Sequence, residues 1–259
     1  MQLHCRDGAI AIVDPGPADE SHLRALLAAV RSERVETILV THTHGDHSMA
    51  ANALRGATGA RVVGAAPYAP RRDGQRALIH RMTATTRLTP CFWDGERLQG
   101  GDFAVEVVAT PGHCANHLCF AMAEERALFS GDHVMAWSTS VVTPPDGSMS
   151  AYMASHDRFG VRAETIFWPG HGGSVLEPQG HLRALIRHRR QREAAILAAL
   201  REGEAAIPDL VAKVYVDLAP PLIHAAGLST LSHLKDLSER GLVVRIAPAG
   251  SRDTRFRLA

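Results

Sequence analysis

The stretch Thr41-His42-Thr43-His44-Gly45-Asp46-His47 decides how this chain reads. It follows Thr37–Val40, a largely β-branched run that predicts a buried strand. Four imidazole or carboxylate groups within six residues can line one site. Borderline cations such as zinc take neutral imidazole and carboxylate ligands. A loop at the rigid end of a strand projects such groups without desolvating the core.

The same pattern recurs further along the chain. Phe103–Ala109 alternates like a strand and stops at Thr110-Pro111-Gly112-His113. His117–Ala123 and Ala127–Ser130 flank Glu124-Glu125-Arg126 as a hairpin that delivers Gly131-Asp132-His133. Thr165–Trp168 is another strand, ending at Pro169-Gly170-His171. The candidate ligands are therefore His42, His44, Asp46, His47, His113, Asp132 and His171. That number suits two metals better than one. A shared carboxylate lets two cations sit roughly 3.5–4 Å apart and hold a bridging hydroxide, nucleophilic at neutral pH. Structural zinc favours four ligands with thiolates, whereas this set is cysteine-free and oversupplied, so the reading is catalytic.

Composition bounds the rest. With 259 residues, 46% hydrophobic, the chain supports one large domain, or a medium one plus a small one. Charged residues at 21% and a net charge of +1 exclude wholesale disorder and a globally polyanion-binding protein. Aromatics at 5% argue against a stacking platform for single strands. Histidine is the outlier at 15 copies. Cys5, Cys91, Cys114 and Cys119 form no Cys-x-x-Cys pair, no apolar run reaches membrane-span length, and the N-terminus lacks a signal-peptide pattern. A soluble cytoplasmic protein with no membrane partner is the expectation.

Charge divides the chain. Residues 1–180 hold 15 basic against 19 acidic residues, and residues 181–259 hold 13 against 8, a net of −4 followed by +5. In the first part, Ala9–Val13 reads as a strand stopped by Asp14-Pro15-Gly16-Pro17. Leu23, Leu26, Leu27 and Val30 form a helical stripe behind a Ser21 cap. A helix to about Arg55, a strand at Arg61–Gly64 and a surface loop over 67–90 follow. In the second part, Leu182, Leu185, Ile186, Ile196, Leu197 and Leu200 mark a long helix, and Ile207–Leu218 and Leu222–Glu239 two more. Gly241, then Leu242–Ile246, a turn at Pro248–Asp253 and Thr254–Leu258 complete the outline of a winged helix.

These motifs resemble the metallo-β-lactamase fold superfamily over roughly residues 9–175. The resemblance implies an α+β fold, a four-layer αββα sandwich over residues 1–177, with a small winged-helix domain at 178–259. It implies that His42, His44 and His113 bind a first zinc, that Asp46, His47 and His171 bind a second, and that Asp132 bridges them. Asp46 is taken as the catalytic residue among them. Manganese or iron could replace the two zinc ions. Asp132 stands where true zinc β-lactamases of the main class carry Cys, which weakens an antibiotic-hydrolase reading. Only 38 residues separate Asp132 from His171, too few for the inserted domain of RNA 3′-processing nucleases. His44-x-Asp46 departs from the flavodiiron pattern, and persulfide dioxygenases usually lack a winged-helix tail. The His181–Arg189 helix and the tail motifs look like the lactamase-β-2-like branch, of which one animal member is a mitochondrial single-strand endoribonuclease. Relatives carry several dozen residues before the Asp-Pro-Gly turn. Here the turn begins at residue 14, so the N-terminal strands are expected short or missing.

The expectation is a dinuclear zinc-dependent hydrolase using a metal-bridging hydroxide, acting on single-stranded RNA phosphodiesters. The alternative is a small-molecule ester, thioester, lactone or β-lactam hydrolase, and a remote one is a metal-sensing DNA-binding protein. A winged helix within an enzyme often completes the fold or pairs subunits, so a homodimer is a further expectation. His117 is read as orienting a ligand carboxylate or making a plain structural bond, and His133 as a buried, satisfied residue in preference to one lining the pocket. His4, His22, His80, His156, His181, His188, His224 and His233 are read as surface or helix residues. Trp137-Ser138-Thr139 is read as contacting substrate or packing its loop. The run Arg183, Arg187, Arg189, Arg190 and Arg192 is read as a solvated helix face beside Glu193 in preference to a phosphate-binding one.

Overall fold

The computed structural model describes the main chain of residues 2–4 and, in full, residues 9–64, 94–100, 103–246 and 254–259. The loop expected at 67–90 and the turn expected at Pro248–Asp253 lie outside the described residues. Two sheets face each other. The first holds β1 (Gln2–His4), β2 (Ala9–Val13), β3 (Arg34–Val40) and β4 (Arg61–Gly64) in that order, with β1 antiparallel to β2 and the rest parallel. An N-terminal edge strand is thus present, three residues long. The second holds β5 (Arg97–Gly100), β6 (Phe103–Ala109), β7 (Leu118–Met122), β8 (Ala127–Gly131) and β9 (Ile166–Pro169). Its neighbours are antiparallel except β8 and β9.

Strand side chains alternate between faces, and here both faces are covered, so β2, β7 and β8 are buried throughout. Ala11, Val13 and Leu39 point between the sheets, against Val105, Val107, Phe120 and Phe129. Ile10, Ile12, Ile38 and Val40 point outward, against Leu23, Leu26 and Leu27 of α1 (Glu20–Ala29) and Leu54 of α3 (Ala51–Thr58). The short α2 (Gly45–Ser48) sits between those helices in sequence. On the far side, Cys119, Ala121 and Leu128 pack under Phe159 of α4 (Met149–Phe159) and Leu182 and Leu185 of α5 (Pro178–Arg201). The layers are helix, sheet, sheet, helix. Each fully buried Phe or Ile contributes roughly 1.5–3 kcal/mol by leaving water.

Helix α5 serves two cores. Its second half presents Ile196, Ala199 and Leu200 to Leu210 and Val214 of α6 (Ile207–Val214), Leu234 and Leu237 of α7 (Ile223–Glu239), and Phe256. A small sheet of β10 (Ala205–Ala206), β12 (Arg255–Leu258) and β11 (Val243–Arg245), in that spatial order, closes this unit as a winged helix. No described helix is long and apolar enough to cross a membrane.

Several local expectations need correcting. Asp19, not Ser21, caps α1: its Oδ1 accepts from the His22 N–H at 2.7 Å, and the Ser21 hydroxyl donates to that same oxygen at 2.6 Å. His156 and His233 lie on helices, one arm of the expectation, but they are buried and not on the surface. Arg189 is buried at 4% exposure, so the arginine run is not one solvated face, although Arg183, Arg187 and Arg190 are exposed. Leu185 and Arg189, one turn apart, share the inward stripe of α5, which carries the arginine inward with the core.

Candidate metal centre

The seven candidate ligands lie at or just past the ends of β3, β6, β8 and β9, along one edge of the sandwich. His42 follows β3, and α2 turns Asp46 and His47 back over it. The structure brings all seven together as two groups. In the first, Nδ1 of His44 lies 2.9 Å from Nε2 of His42 and 2.9 Å from Nε2 of His113. In the second, His171 Nε2 lies 3.2 Å from His47 Nε2 and 3.2 Å from Asp46 Oδ2. Asp132 straddles them. Its Oδ2 faces His113 Nε2 at 3.7 Å, while its Oδ1 faces His47 Nε2 at 3.4 Å and His171 Nε2 at 3.6 Å.

The outer nitrogens of three rings are tied down, which fixes where their lone pairs point. Asp14, at the end of β2, accepts from the Thr41 N–H at 2.8 Å, the Thr41 hydroxyl at 2.7 Å and His47 Nδ1 at 2.8 Å. With its hydrogen committed to Asp14, the Thr41 hydroxyl accepts from His42 Nδ1 at 2.9 Å. His113 Nδ1 donates to the Val141 carbonyl. In His42, His47 and His113 alike, Nε2 is left facing the site. His117 takes the Asp132 backbone N–H on Nε2 at 3.1 Å and bonds Thr110 Oγ1 through Nδ1 at 2.8 Å. It positions the main chain of Asp132, not its carboxylate.

Burial pushes His42 well below the ordinary histidine range, with neighbouring imidazoles adding to the effect. Burial, then His44, brings His113 down to about 4. Burial alone would also lower His47, but the carboxylates of Asp14 and Asp132 overcome it and push that ring up to about 11. Burial alone would raise Asp132, yet the His47 ring holds it well below the usual carboxylate range. A proton on His47 thus balances the buried carboxylates, at a position a metal cation can take.

The donor set fits such cations. Asp132 Oδ1 is buried with no hydrogen-bond donor among the described residues, and inward-facing imidazole nitrogens surround it. The 2.9 Å spacings are slightly under the roughly 3.3 Å edge of a tetrahedron with 2.0–2.1 Å bonds. Gly170 permits the approach: a Cβ there would lie 2.5 Å from His47 Cε1 and 2.7 Å from Asp132 Oδ1. Cys114 Sγ also lies near His42 and His44, but it donates to Asn116 Oδ1 at 3.3 Å, and burial raises its thiol well above the ordinary range.

Sequence reasoning missed Asp14, read only as part of a turn. It is an acid at a strand exit, the same signal that marked Asp132. Trp137, 72% exposed, lies over Gly172 beside His171, so a Cβ at Gly172 would meet its Cδ1 at 2.5 Å. His133 is buried, as expected, with the Thr110 backbone as a hydrogen-bonding group toward its ring.

A family profile described as the metallo-beta-lactamase superfamily matches residues 3–171, and one described as a beta-lactamase associated winged helix domain matches residues 206–251. The chain is 30% identical over 238 residues to the beta-lactamase-like protein 2 homolog of Drosophila melanogaster, covering 89% of this chain and 78% of that one. It is 30% identical over 190 residues to an atrochrysone carboxyl ACP thioesterase of Aspergillus fumigatus, covering 72% of this chain and 54% of that one. It likewise spans 56% of a lactamase-like protein of Aspergillus niger, little more than half the length of these fungal relatives. Among solved structures, a metallo-beta-lactamase family protein from Thermus thermophilus superposes with a TM-score of 0.80 at 23% identity, covering 100% of this chain and 92% of that one.

Proposed function

The chain belongs to the metallo-beta-lactamase superfamily, and from that premise we propose that it is a dinuclear zinc-dependent hydrolase. One observation carries the reading: Asp132 offers one carboxylate oxygen to each of two imidazole-rich groups. His42, His44 and His113 would hold one ion and Asp46, His47 and His171 the other, with Asp132 shared. Cations bound there supply Lewis acidity and make water nucleophilic at neutral pH. The protein's own part is positional. Asp14 and Thr41 hold His47 and His42, the Val141 carbonyl holds His113, and His117 holds the main chain of Asp132. Asp46, the most open of the seven at 56% side-chain exposure, would be the carboxylate to take up a proton from water, through the oxygen not given to the ion.

For the substrate, a carboxyl derivative, ester or thioester, is the better-supported class. Among the described residues, every group that shifts the titration of His42, His44, His47, His113 and Asp132 is an imidazole, a carboxylate or a backbone carbonyl. Among the described residues, no arginine or lysine is among these influences. The apolar side chains of Trp137 and Val141 are exposed beside His171 and His113 respectively. The thioesterase relative points the same way. Single-stranded RNA is the second reading, favoured by the exposed Arg183, Arg187 and Arg190 on α5 and by the +5 charge of residues 181–259.

The test is elemental analysis joined to a substrate panel. Protein purified without chelator is expected to carry two zinc ions, and to hydrolyse aryl esters and acyl thioesters. Chelator should abolish that activity and zinc restore it. Absence of metal and of uptake on titration rejects the proposal. Cleavage of a labelled single-stranded oligonucleotide with a flat ester and thioester panel selects RNA instead.

A further inference from the structure

Arg189 is a buried cation that the site described above does not use. It lies on α5, the helix shared by the sandwich and the winged helix, and is 4% exposed. Its Nε has no partner among the described residues. The acids on adjacent turns of the packed helices are already taken: Glu193 and Asp236 pair with Arg240 at 2.8 and 3.0 Å. His156 and His233 are each driven to about 3, by burial first and then by the Arg189 charge. A buried charge without a counterion costs stability, and an apolar residue of similar volume in its place is often neutral or stabilising. Its role is therefore sought in the contacts it makes.

The contacts Arg189 does make lead to the metal centre. One guanidinium nitrogen donates to the Ser140 carbonyl, and Cζ lies 5.1 Å from the centre of the Tyr152 ring. The one Tyr152 hydroxyl hydrogen is shared between the His133 carbonyl at 3.1 Å and Ser140 Oγ at 3.3 Å, and Ser140 Oγ itself donates to the His133 carbonyl at 2.8 Å. The segment from 133 to 140 is thereby pinned at both ends, directly after Asp132. The next carbonyl along, Val141, accepts from His113 Nδ1.

We propose that Arg189 is a positioning residue for the metal centre: through the Ser140 carbonyl it sets the neighbouring Val141 carbonyl, which fixes the ring of His113. Helix α5 thereby builds the winged-helix unit into the hydrolytic site. Groups that orient a ligand imidazole commonly govern metal affinity by 10–100-fold. Arg189 acts one peptide further out, so the low end of that range is expected. The inference rests on the proposed role of His113 as a ligand.

The experiment compares Arg189→Met with Arg189→Lys in the full chain. Zinc affinity is read by competition with a chromophoric chelator, the ligand field by the absorption of the cobalt-loaded protein, and folding by the melting temperature of the metal-free form. Arg189→Met is expected to bind the first zinc about ten-fold more weakly and to shift the cobalt spectrum, with a metal-free melting point unchanged or higher. Arg189→Lys, which keeps a cationic donor, should recover part of the affinity. A merely structural arginine gives the reverse, a lower melting point with unchanged affinity, and that result overturns the proposal. Should Arg189→Met not fold, Tyr152→Phe removes the other tie on the same segment and must weaken zinc binding in the same sense; unchanged binding then overturns it. Wild-type protein that takes up no metal defeats the functional reading itself. Wild-type uptake matched by both variants defeats only this inference.

Discussion

The molecule holds two clusters of buried histidines, and they are built on opposite principles. At the sandwich edge, His42, His47 and His113 each have the outer nitrogen tied to an acceptor and the inner one aimed at a shared carboxylate. Beneath the winged helix, His133 and His156 lie 4.9 Å apart between ring centres, each 4.6 Å from Tyr152; neither nitrogen of His156 has a partner among the described residues, and the His133 ring meets the Thr110 backbone. His233 is likewise buried without a partner, and the charge that most affects it is the cation of Arg189. Burial and histidine content are alike in the two places. What differs is the carboxylates. Asp14, Asp46 and Asp132 turn one cluster into a cation trap, and Arg189 makes the other hostile to cations.

The largest effect that tests this contrast is the loss of the shared carboxylate. Asp132→Ala should reduce hydrolysis by more than the roughly 100-fold ceiling seen for groups outside the ligand shell, and lower metal content, whereas His156→Gln should leave both nearly unchanged. Metal analysis beside a steady-state assay decides it. Metal loss in His156→Gln would erase the distinction between the clusters. Next in size is Asp14→Asn, which keeps the shape of the side chain but removes the charge holding Thr41 and His47. Metal affinity is expected to fall by 10–100-fold, measured by chelator competition.

The candidate set that the fold brings together was legible because each member sits where an apolar run meets Gly, Pro or a short polar turn, as in β3 before His42 and β9 before His171. Such breaks are local and visible in one dimension. Helix α4 was not seen, since Met149–Phe159 carries polar residues around a stripe set mainly by Tyr152 and Phe159, and its burial depends on α5 above it. Strand β5, four residues with alternate burial, hid beside the Gln99-Gly100 turn signal. The second histidine cluster was only partly legible: His133 was read as buried, but His156 and His233 come from distant helical segments whose immediate sequence does not announce burial. Asp14 fell between the two cases, marked by its strand exit but disguised by the Pro and Gly that follow.

Acid titration sharpens the comparison at smaller scale. His156 and His233 are pushed to about 3 in the folded protein, by burial first and then by Arg189, against 6.5 for an ordinary imidazole. Between those values the unfolded chain binds more protons than the folded one, so their contribution to stability is complete above 6.5 and is lost as pH falls toward 3. The slope is at most about 1.4 kcal/mol per pH unit for each ring. Urea unfolding of metal-free protein at pH 7, 6, 5 and 4.5 should show this fall, and His156→Gln should flatten it. His47 works in the opposite sense: its ring is raised to about 11, so its stabilisation is fully present below 6.5 and fades only as pH rises toward 11. An acid limb that His156→Gln leaves unchanged would mean that His156 is not held neutral in the folded protein.

The smallest effect belongs to the helix that joins the two clusters. Ser148 caps α4, its side chain accepting from the Ala151 N–H at 3.3 Å, while its own N–H donates to the Gly112 carbonyl at 2.9 Å. Ser148→Ala removes the cap and an exposed hydroxyl contact with Ser150 Oγ at 3.0 Å, for a loss of about 0.5–1 kcal/mol given the long capping bond. The main-chain bond to Gly112 survives, as do the Tyr152 hydroxyl and its ties to residues 133 and 140. Stability by urea unfolding should therefore drop slightly while zinc affinity stays within two-fold. The backbone of α4 already lies against the loop before His113 so closely that a Cβ on Gly112 would sit 2.3 Å from Tyr152 Cα. That contact is steric and short-ranged, so fraying at the first turn of α4 should not reach it. A fall in zinc affinity with Ser148→Ala would mean that the first turn of α4 bears directly on His113, and that the two clusters share one mechanical support.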